Sequence, residues 1–543
     1  MSASTHVTPP RRTTWPIAAI ILGIACIAQA MLWYRFREDS TYSKMSVLFV
    51  WPAALFALLL WWVFLSGYLW RTRLMVVGLL VLTVAVCGAV FRIEGTDGDM
   101  QPRLAFRWDP TPESRARAFW KAAALKPVEP AAVVSADAPD LIAGPDDSPN
   151  YRGAQRDGIL RGNGFRKNWD ARPPKELWRH PVGLGWSSFA VLGDFAITQE
   201  QRDEQESVVC YSLETGEQKW VHADTARFQQ IALNGGDGPH ATPVIAGNRT
   251  YALGATGLLN CLDTRTGKRY WQRNILADAG DGERPSENIQ WGVSGSPLVH
   301  EDLVIVIAGG KVDGKFTGKS VIAYDRNDGS IRWASGQFPA SYAGPRVEEF
   351  LGTKHVLAFH ADGISGLAPD TGTVLWSFDW KNSPEVNSAQ PIKLDDRSLL
   401  IANGYGQGAA RLELAFDGSA WSADKKWESS RLKLKFNDAV LHDGYVYGLD
   451  DGILTCLDVE TGKTRWKERA GRYGYGQLLL HDDMLLVLAE EGDVVLVAAS
   501  PDGFQELHRI PALTGTTWNH PVVANGKLLV RNSTTAACYD VAP

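Results

Sequence analysis

The chain has 543 residues, 45% of them hydrophobic and 10% aromatic, enough for a membrane region together with one large domain. A formal net charge of −6 offers no electrostatic footprint for nucleic acid, so no nucleic-acid partner is expected. Zinc-ligand spacing, His-Glu-x-x-His and a nucleophile elbow are all missing from the sequence, which removes the common hydrolase signatures.

Residues 1–14 are polar and carry Arg11 and Arg12. Three apolar runs follow, at about 15–34, 45–70 and 74–91. Each is long enough for a transmembrane helix and apolar on all sides, which a buried soluble helix need not be. Trp51, Trp61, Trp62 and Trp70 suit membrane interfaces. Arg11 and Arg12 favour a cytoplasmic N-terminus, and Arg71 and Arg73 fall in the turn between spans two and three. The third span then exits outside. The expectation is a multi-pass inner-membrane protein with residues 92–543 on the periplasmic side. Ala28-Gln-Ala30 resembles a cleavage site, but spans two and three would still hold the rest of the chain outside.

Residues 92–149 are read as a short helix and a linker. Thr111 can cap and Pro112 suits a first turn, predicting a helix to about Leu125. The stretch from Lys126 to Asn150, rich in Pro, Ala and Asp, reads as linker.

From residue 150 the chain repeats itself. Cys456-Leu-Asp-Val-Glu-Thr-Gly-Lys-Thr-Arg-Trp466 is nearly copied by Cys261–Trp271, and weaker copies run Cys210–Trp220, Ala323–Trp333 and Gly366–Trp376. A strand, a small residue, a turn closed by Gly and a Trp four residues on recur about every 40–50 residues, which predicts a β-propeller. Trp178, Trp220, Trp271, Trp333, Trp376, Trp427 and Trp466 are read as one structural position between blades. Arg411–Gly418 and Val494–Leu507 are degenerate copies. The C-terminal Ala536-Ala-Cys-Tyr-Asp-Val541 is half a repeat whose missing Trp lies far upstream, in Lys175–His180. A blade built from both ends closes the ring and removes its edges. The expected fold is therefore all-β: an eight-bladed propeller of four-stranded antiparallel blades over 150–543, preceded by three transmembrane helices.

The Leu-Asp-x-x-Thr-Gly-x-x-x-Trp pattern resembles the pyrroloquinoline-quinone-like (PQQ-like) propeller repeat family, and Asn150-Tyr-Arg-Gly-Ala-Gln-Arg-Asp-Gly-Ile159 resembles the lead-in segment of its membrane-anchored members. The resemblance implies either a ligand-binding or protein-interaction scaffold, or a quinoprotein dehydrogenase holding PQQ and calcium in the channel and oxidising an alcohol or sugar. Cys210, Cys261, Cys456 and Cys538 occupy equivalent slots in separate blades, too far apart to bridge.

The place for a site is the ring of loops entering each innermost strand. Its candidates are Trp186, His240, Trp291, Arg346, Asn387, Asn437, Tyr475, Trp518 and Asn519, with Ser, Thr and Asn as strand-end caps the alternative role for the polar ones. These loops show no clear carboxylate, and the chain has no Cys-Cys pair and no Cys-x-x-Cys-His haem motif. A calcium ion wants charged oxygens and an alcohol oxidation wants a base. The reading therefore favours a membrane-held module that binds a protein or small molecule at its channel face, with no metal and no cofactor expected; PQQ and calcium belong to the dehydrogenase alternative.

Overall fold

The computed structural model describes residues 15–36, 40–124, 140–162, 164–229, 236–280, 289–312 and 314–543. They form two compact units, 1–110 and 111–543. In the first, helices α1 (Trp15–Arg35), α2 (Ser40–Leu60, prolonged by a π turn at Trp61–Leu65) and α3 (Trp70–Val90) follow one another. The stretches Trp15–Arg35, Tyr42–Leu65 and Trp70–Val90 are each long and apolar enough to cross a membrane. The second begins and ends earlier than the run 45–70 suggests. Ser66 Oγ bonds back to the Trp62 carbonyl (2.6 Å) and Arg73 Nε donates to the Tyr68 carbonyl (2.9 Å), so the chain breaks there and Trp70 opens α3. After α3 comes a hairpin, Phe91–Thr96 with Pro102–Phe106, where the sequence suggests only linker before the Thr111 helix.

The second unit is the predicted eight-bladed propeller. Blades 1 to 7 span 190–225, 244–274, 298–335, 346–379, 392–429, 440–472 and 477–511, each four antiparallel strands, with the short strand Ile159–Leu160 added as a fifth, parallel one at the inner edge of blade 7. Blade 8 joins Val522–Ala524, Lys527–Arg531 and Thr535–Asp540 to the upstream strand Lys175–Pro181. The register sets Cys538 opposite Trp178 and Ala536 opposite His180.

The repeat has a clear physical basis. Each Trp lies cross-strand from the small residue (Cys210/Trp220, Cys261/Trp271, Ala323/Trp333, Gly366/Trp376, Cys456/Trp466), with a register shift directly after that pair. The indole then covers the turn glycine of the next blade. A Cβ on Gly216, Gly267, Gly329, Gly372 or Gly462 would fall 2.4–2.8 Å from ring atoms of Trp178, Trp220, Trp271, Trp333 or Trp427. These glycines also sit at φ of +66° to +75°, so both space and backbone demand Gly. Each buried indole N–H finds a carbonyl three residues before that turn glycine: Trp178 to Leu213, Trp220 to Thr264, Trp271 to Arg326 and Trp333 to Pro369, at 2.8–3.2 Å. Trp376 departs from the rule. The turn of blade 5, at Asp417-Gly418, lies at the end of a longer hairpin with nothing near Gly418, and Trp376 Nε1 donates to His355 Nδ1 instead (2.9 Å).

The closing seam is reinforced twice. Arg531, fully buried, donates to Thr198 Oγ1 (2.6 Å) and to the carbonyls of Gln199, Gly183 and Gly185, tying blade 8 to blade 1. Helix α4 (Pro112–Ala124), capped by Thr111 Oγ1 accepting from the Ser114 N–H, lies against the upstream strand. Its Phe119 stacks on His180 (4.8 Å), which stacks on Trp178 (4.9 Å). Residues 140–149 are also bound, rather than a free link: Leu141 N donates to Asn248 Oδ1, Ser148 bridges Val191, and the Pro149 carbonyl accepts from Ile245 N.

Burial of histidines gives the propeller a pH dependence. His360, stacked on Phe338 at 3.9 Å, and His520 are both pushed down to about 4 by desolvation. An unfolded His binds its proton near 6.5, so the unfolded chain takes up extra protons as pH falls from there to about 4. Stability is full above pH 6.5 and is lost through that window. Denaturant midpoints should fall between pH 7.5 and 5.5, and His360→Gln should flatten the slope; an equal slope in the variant would count against the assignment.

Candidate functional site

The loops entering the inner strands carry two kinds of side chain. The polar ones are occupied with the ring itself. Ser188 N donates to Thr242 Oγ1 (3.1 Å) and Thr242 N to Ser296 Oγ (2.9 Å), each bond crossing one blade boundary. Gln390 N donates to Asp438 Oδ1 (2.6 Å), and Gln477 Nε2 donates to the Phe436 and Trp518 carbonyls (2.8 and 3.1 Å). Ser188 Oγ closes the circle on the His520 carbonyl (2.5 Å). Asn387, Asn437 and Asn519 are buried and bind backbone: Asn387 Nδ2 to the His360 carbonyl, Asn437 Nδ2 to Leu449, Asn519 Nδ2 to Ser187. Such amides hold the loops that carry them; of the three, Asn519 alone keeps a buried Oδ1 without a hydrogen-bond partner.

The aromatic ones gather at the channel mouth. Half-buried Trp186 and Trp518 lie 4.6 Å apart between ring centroids; Trp518 meets Phe436 (4.9 Å), and Phe436 meets Tyr475 (5.4 Å). Lys435 Nζ donates to Tyr475 Oη (2.7 Å) and lies 5.8 Å from the Tyr405 ring. Trp291 packs on Tyr342 at 5.4 Å. His240 Nδ1 is 3.2 Å from Ser294 Oγ, and its ring is driven down to about 4 by desolvation, so it is neutral at pH 7. Tyr342 stands beside Arg346 among the loop residues that the sequence suggests, whereas Phe436 and Tyr405 do not; Phe436 lies directly between Lys435 and Asn437 in the same loop and is legible there.

Behind the mouth the channel is crossed by the chain's own lead-in. Ile159–Leu160 runs parallel to the inner strand Gln477–His481 of blade 7. Tyr151 Oη donates to Asp438 Oδ2 (2.7 Å) on blade 6, and the Tyr151 ring meets His520 edge-on at 5.5 Å on blade 8. Arg152 Nη2 donates to the Ala439 carbonyl (2.5 Å). Arg156 donates to the carbonyls of Pro297 and Ser296 at blade 3 (2.8 and 3.1 Å), and Arg346 of blade 4 donates to the Arg156 carbonyl (3.1 Å). Arg346 therefore belongs to this axial cluster and is not at the mouth. With Ser148 on blade 1 and Pro149 on blade 2, the segment touches blades on every side of the ring.

Residues 167–274, 204–468 and 361–542 match the family profile of PQQ repeats described as outer membrane protein assembly factor BamB. The chain belongs to this PQQ-like propeller family. One relative in it, the outer membrane protein assembly factor BamB of Burkholderia pseudomallei (strain K96243), is 25% identical over 316 residues, covering 48% of this chain and 78% of the relative. Among solved structures, a europium-containing methanol dehydrogenase superposes with a TM-score of 0.54 at 12% identity, over 73% of this chain and 98% of the other. The quinohemoprotein alcohol dehydrogenase of Comamonas testosteroni gives 0.54 at 14% identity, over 79% and 84%. At such identities the dehydrogenases share the fold with this family member and nothing more follows.

PQQ and calcium, which the family resemblance raises, meet a channel whose carboxylates are already paired. Two carboxylates do stand there, contrary to the expectation of none: Asp438, next to Asn437, and Glu490. Asp438 is taken by Tyr151, Arg152 and Gln390, and Glu490 accepts from Trp518 Nε1 (2.8 Å) and Tyr475 N (3.2 Å). Asp450 and Asp451 pair with Lys467 and Lys433 (both 2.8 Å). No three His, Cys, Asp or Glu side chains converge to hold a metal among the described residues. The sequence also offers an acidic stretch, Ala277-Asp-Ala-Gly-Asp-Gly-Glu283; its Asp278 is held by Arg273 and Tyr324, and residues 281–283 lie outside the described residues. These donors do not fit a divalent cation, which needs several oxygens converging at one point.

Proposed function

We propose that this protein is a membrane-anchored module, with residues 92–543 in the periplasm, that binds a protein partner at the aromatic mouth of its propeller and does not turn over an alcohol or sugar. The observation that carries this reading is a half-exposed Trp186–Trp518–Phe436 surface over a channel filled by the Tyr151–Arg156 segment. Large rigid aromatics over a closed floor suit a protein surface, which presses on them without entering. Family relatives named as outer membrane protein assembly factors bear a name that places them in protein assembly, in keeping with this role. The three apolar stretches and the placement of Arg71 and Arg73 support the anchor and its orientation.

Two experiments test it. A reporter active only in the cytoplasm, fused after Pro543, should be silent, and strong activity would reverse the topology. The double variant Trp186→Ala/Trp518→Ala should weaken partner binding at least tenfold, more than about 1.4 kcal/mol, while the fold persists. Dye-linked alcohol oxidation that appears with PQQ and calcium and disappears on chelation would install the dehydrogenase reading.

A further inference from the structure

The axial segment carries more positive charge than the fold neutralises. Arg152, Arg156 and Arg346 are 3%, 4% and 7% exposed. Arg346 pairs with Glu348, and Arg152 Nε approaches Asp438 Oδ2 at 3.5 Å. Arg156 forms no ion pair among the described residues; its two Nη groups reach only carbonyls. Three arginines thus have two paired carboxylates between them in a space from which water is largely excluded; Asp157, which also feels Arg346, is taken by Arg161. His520, kept neutral at pH 7, neither adds to the charge nor cancels it. The guanidinium of Arg156 is itself pushed down to about 10, by burial first and then by Arg346.

Hydrogen bonding is incomplete at the same place. Arg152 Nε and Nη1 and Arg156 Nε are buried without a hydrogen-bond partner. Orphaned N–H groups on a guanidinium are costly, and a lone water would satisfy the bonds while leaving the charge. The backbone is strained at both residues as well: Arg152 and Arg156 hold φ of +63° and +59°, a region that non-Gly residues rarely occupy. Glycines make room for the planar groups. A Cβ on Gly158 would fall 2.7 Å from Arg152 Nη2, and one on Gly344 would fall 3.1 Å from Arg156 Nη2. Strain, close-packed glycines and carbonyl bonds hold the two guanidinium groups in place while Arg152 Nη1 and Arg156 Nε are left to meet something that is neither backbone nor side chain.

We propose that Arg152 and Arg156 form an oxyanion-binding site inside the propeller, for a carboxylate or inorganic phosphate group. Guanidinium forks match the paired oxygens of such groups, and the charge of one anion balances the cluster. The site is separate from the aromatic mouth and does not depend on partner binding there. An anion locked behind the lead-in segment would fasten that segment between blades 3 and 6, so its occupancy should be read as stability.

The test uses the full-length protein in detergent, freed of oxyanions by dialysis into chloride. Thermal unfolding is followed while inorganic phosphate or acetate is titrated at constant ionic strength against sodium chloride. A saturable rise in Tm with phosphate, with acetate or with both supports the site and tells which oxyanion it prefers. Arg156→Gln should lose the saturable rise, and its Tm without oxyanion should equal or exceed that of the parent protein, because an unpaired buried charge is gone. If Arg156→Gln fails to accumulate, Arg156→Lys, which keeps the charge but loses the fork, should raise the half-saturating concentration at least tenfold. Equal effects of phosphate, acetate and chloride, or an unchanged response in the variant that is measured, would overturn the proposal.

Discussion

Trp271→Ala is expected to destabilise the propeller by about 3–5 kcal/mol, the range for truncating a large buried aromatic in a packed core. Trp271 is 9% exposed and belongs to the largest apolar cluster, between blades 2 and 3. Its loss removes three things together: the cross-strand contact with Cys261, the lid over Gly329 and the hydrogen bond to the Arg326 carbonyl. The Ala side chain cannot refill that space because Gly329 has no side chain to lean in. Trp466→Ala should fall at the low end of the range, since Trp466 is only half-buried. Denaturant titration of both variants checks the order; a Trp271→Ala cost below about 1 kcal/mol would mean that inter-blade packing does not rest on this position.

Deleting residues 171–182 should be more damaging still, leaving no cooperative unfolding transition at 37 °C. The deletion removes the whole outer strand of blade 8 and leaves Thr535–Asp540 with an unpaired edge. It also uncovers Gly216, takes away the platform on which Phe119 of α4 stacks, and breaks the route by which Arg531 reaches the Gly183 and Gly185 carbonyls. Circular dichroism melts of the full-length protein give the measurement. A deletion mutant that melts like the parent would mean the ring closes without this strand.

How much of this is legible in the sequence follows from what repeats. The Gly–Trp spacing is local and recurs, so blade number, the composite closing blade and the packing role of the Trp series can all be read from the order of residues alone. The exception at Trp376 is also visible in outline, because Arg411 stands where other blades place Cys, Ala or Gly. Pairing across the ring is not legible in this way. Asn387, Asn437 and Asn519 look like ligand donors in sequence, and only the three-dimensional register shows them bound to backbone. Arg152 and Arg156 sit in a stretch that resembles a lead-in, yet nothing local says that it enters the channel; that takes bonds to residues such as Pro297 and Ala439, more than a hundred positions away. The hairpin Phe91–Thr96 with Pro102–Phe106 escapes a sequence reading because its turn, Asp97–Met100, lies among short polar residues that read equally well as linker.

The most direct measurement of the central claim is in-cell photocrosslinking from the mouth. A photoreactive phenylalanine analogue placed at Phe436, between Tyr475 and Trp518, should give a discrete protein adduct in the membrane fraction. That adduct should vanish in the Trp186→Ala/Trp518→Ala background while the propeller remains folded. An absence of adducts from Phe436, or adducts that persist unchanged when both tryptophans are removed, would contradict a partner-binding mouth.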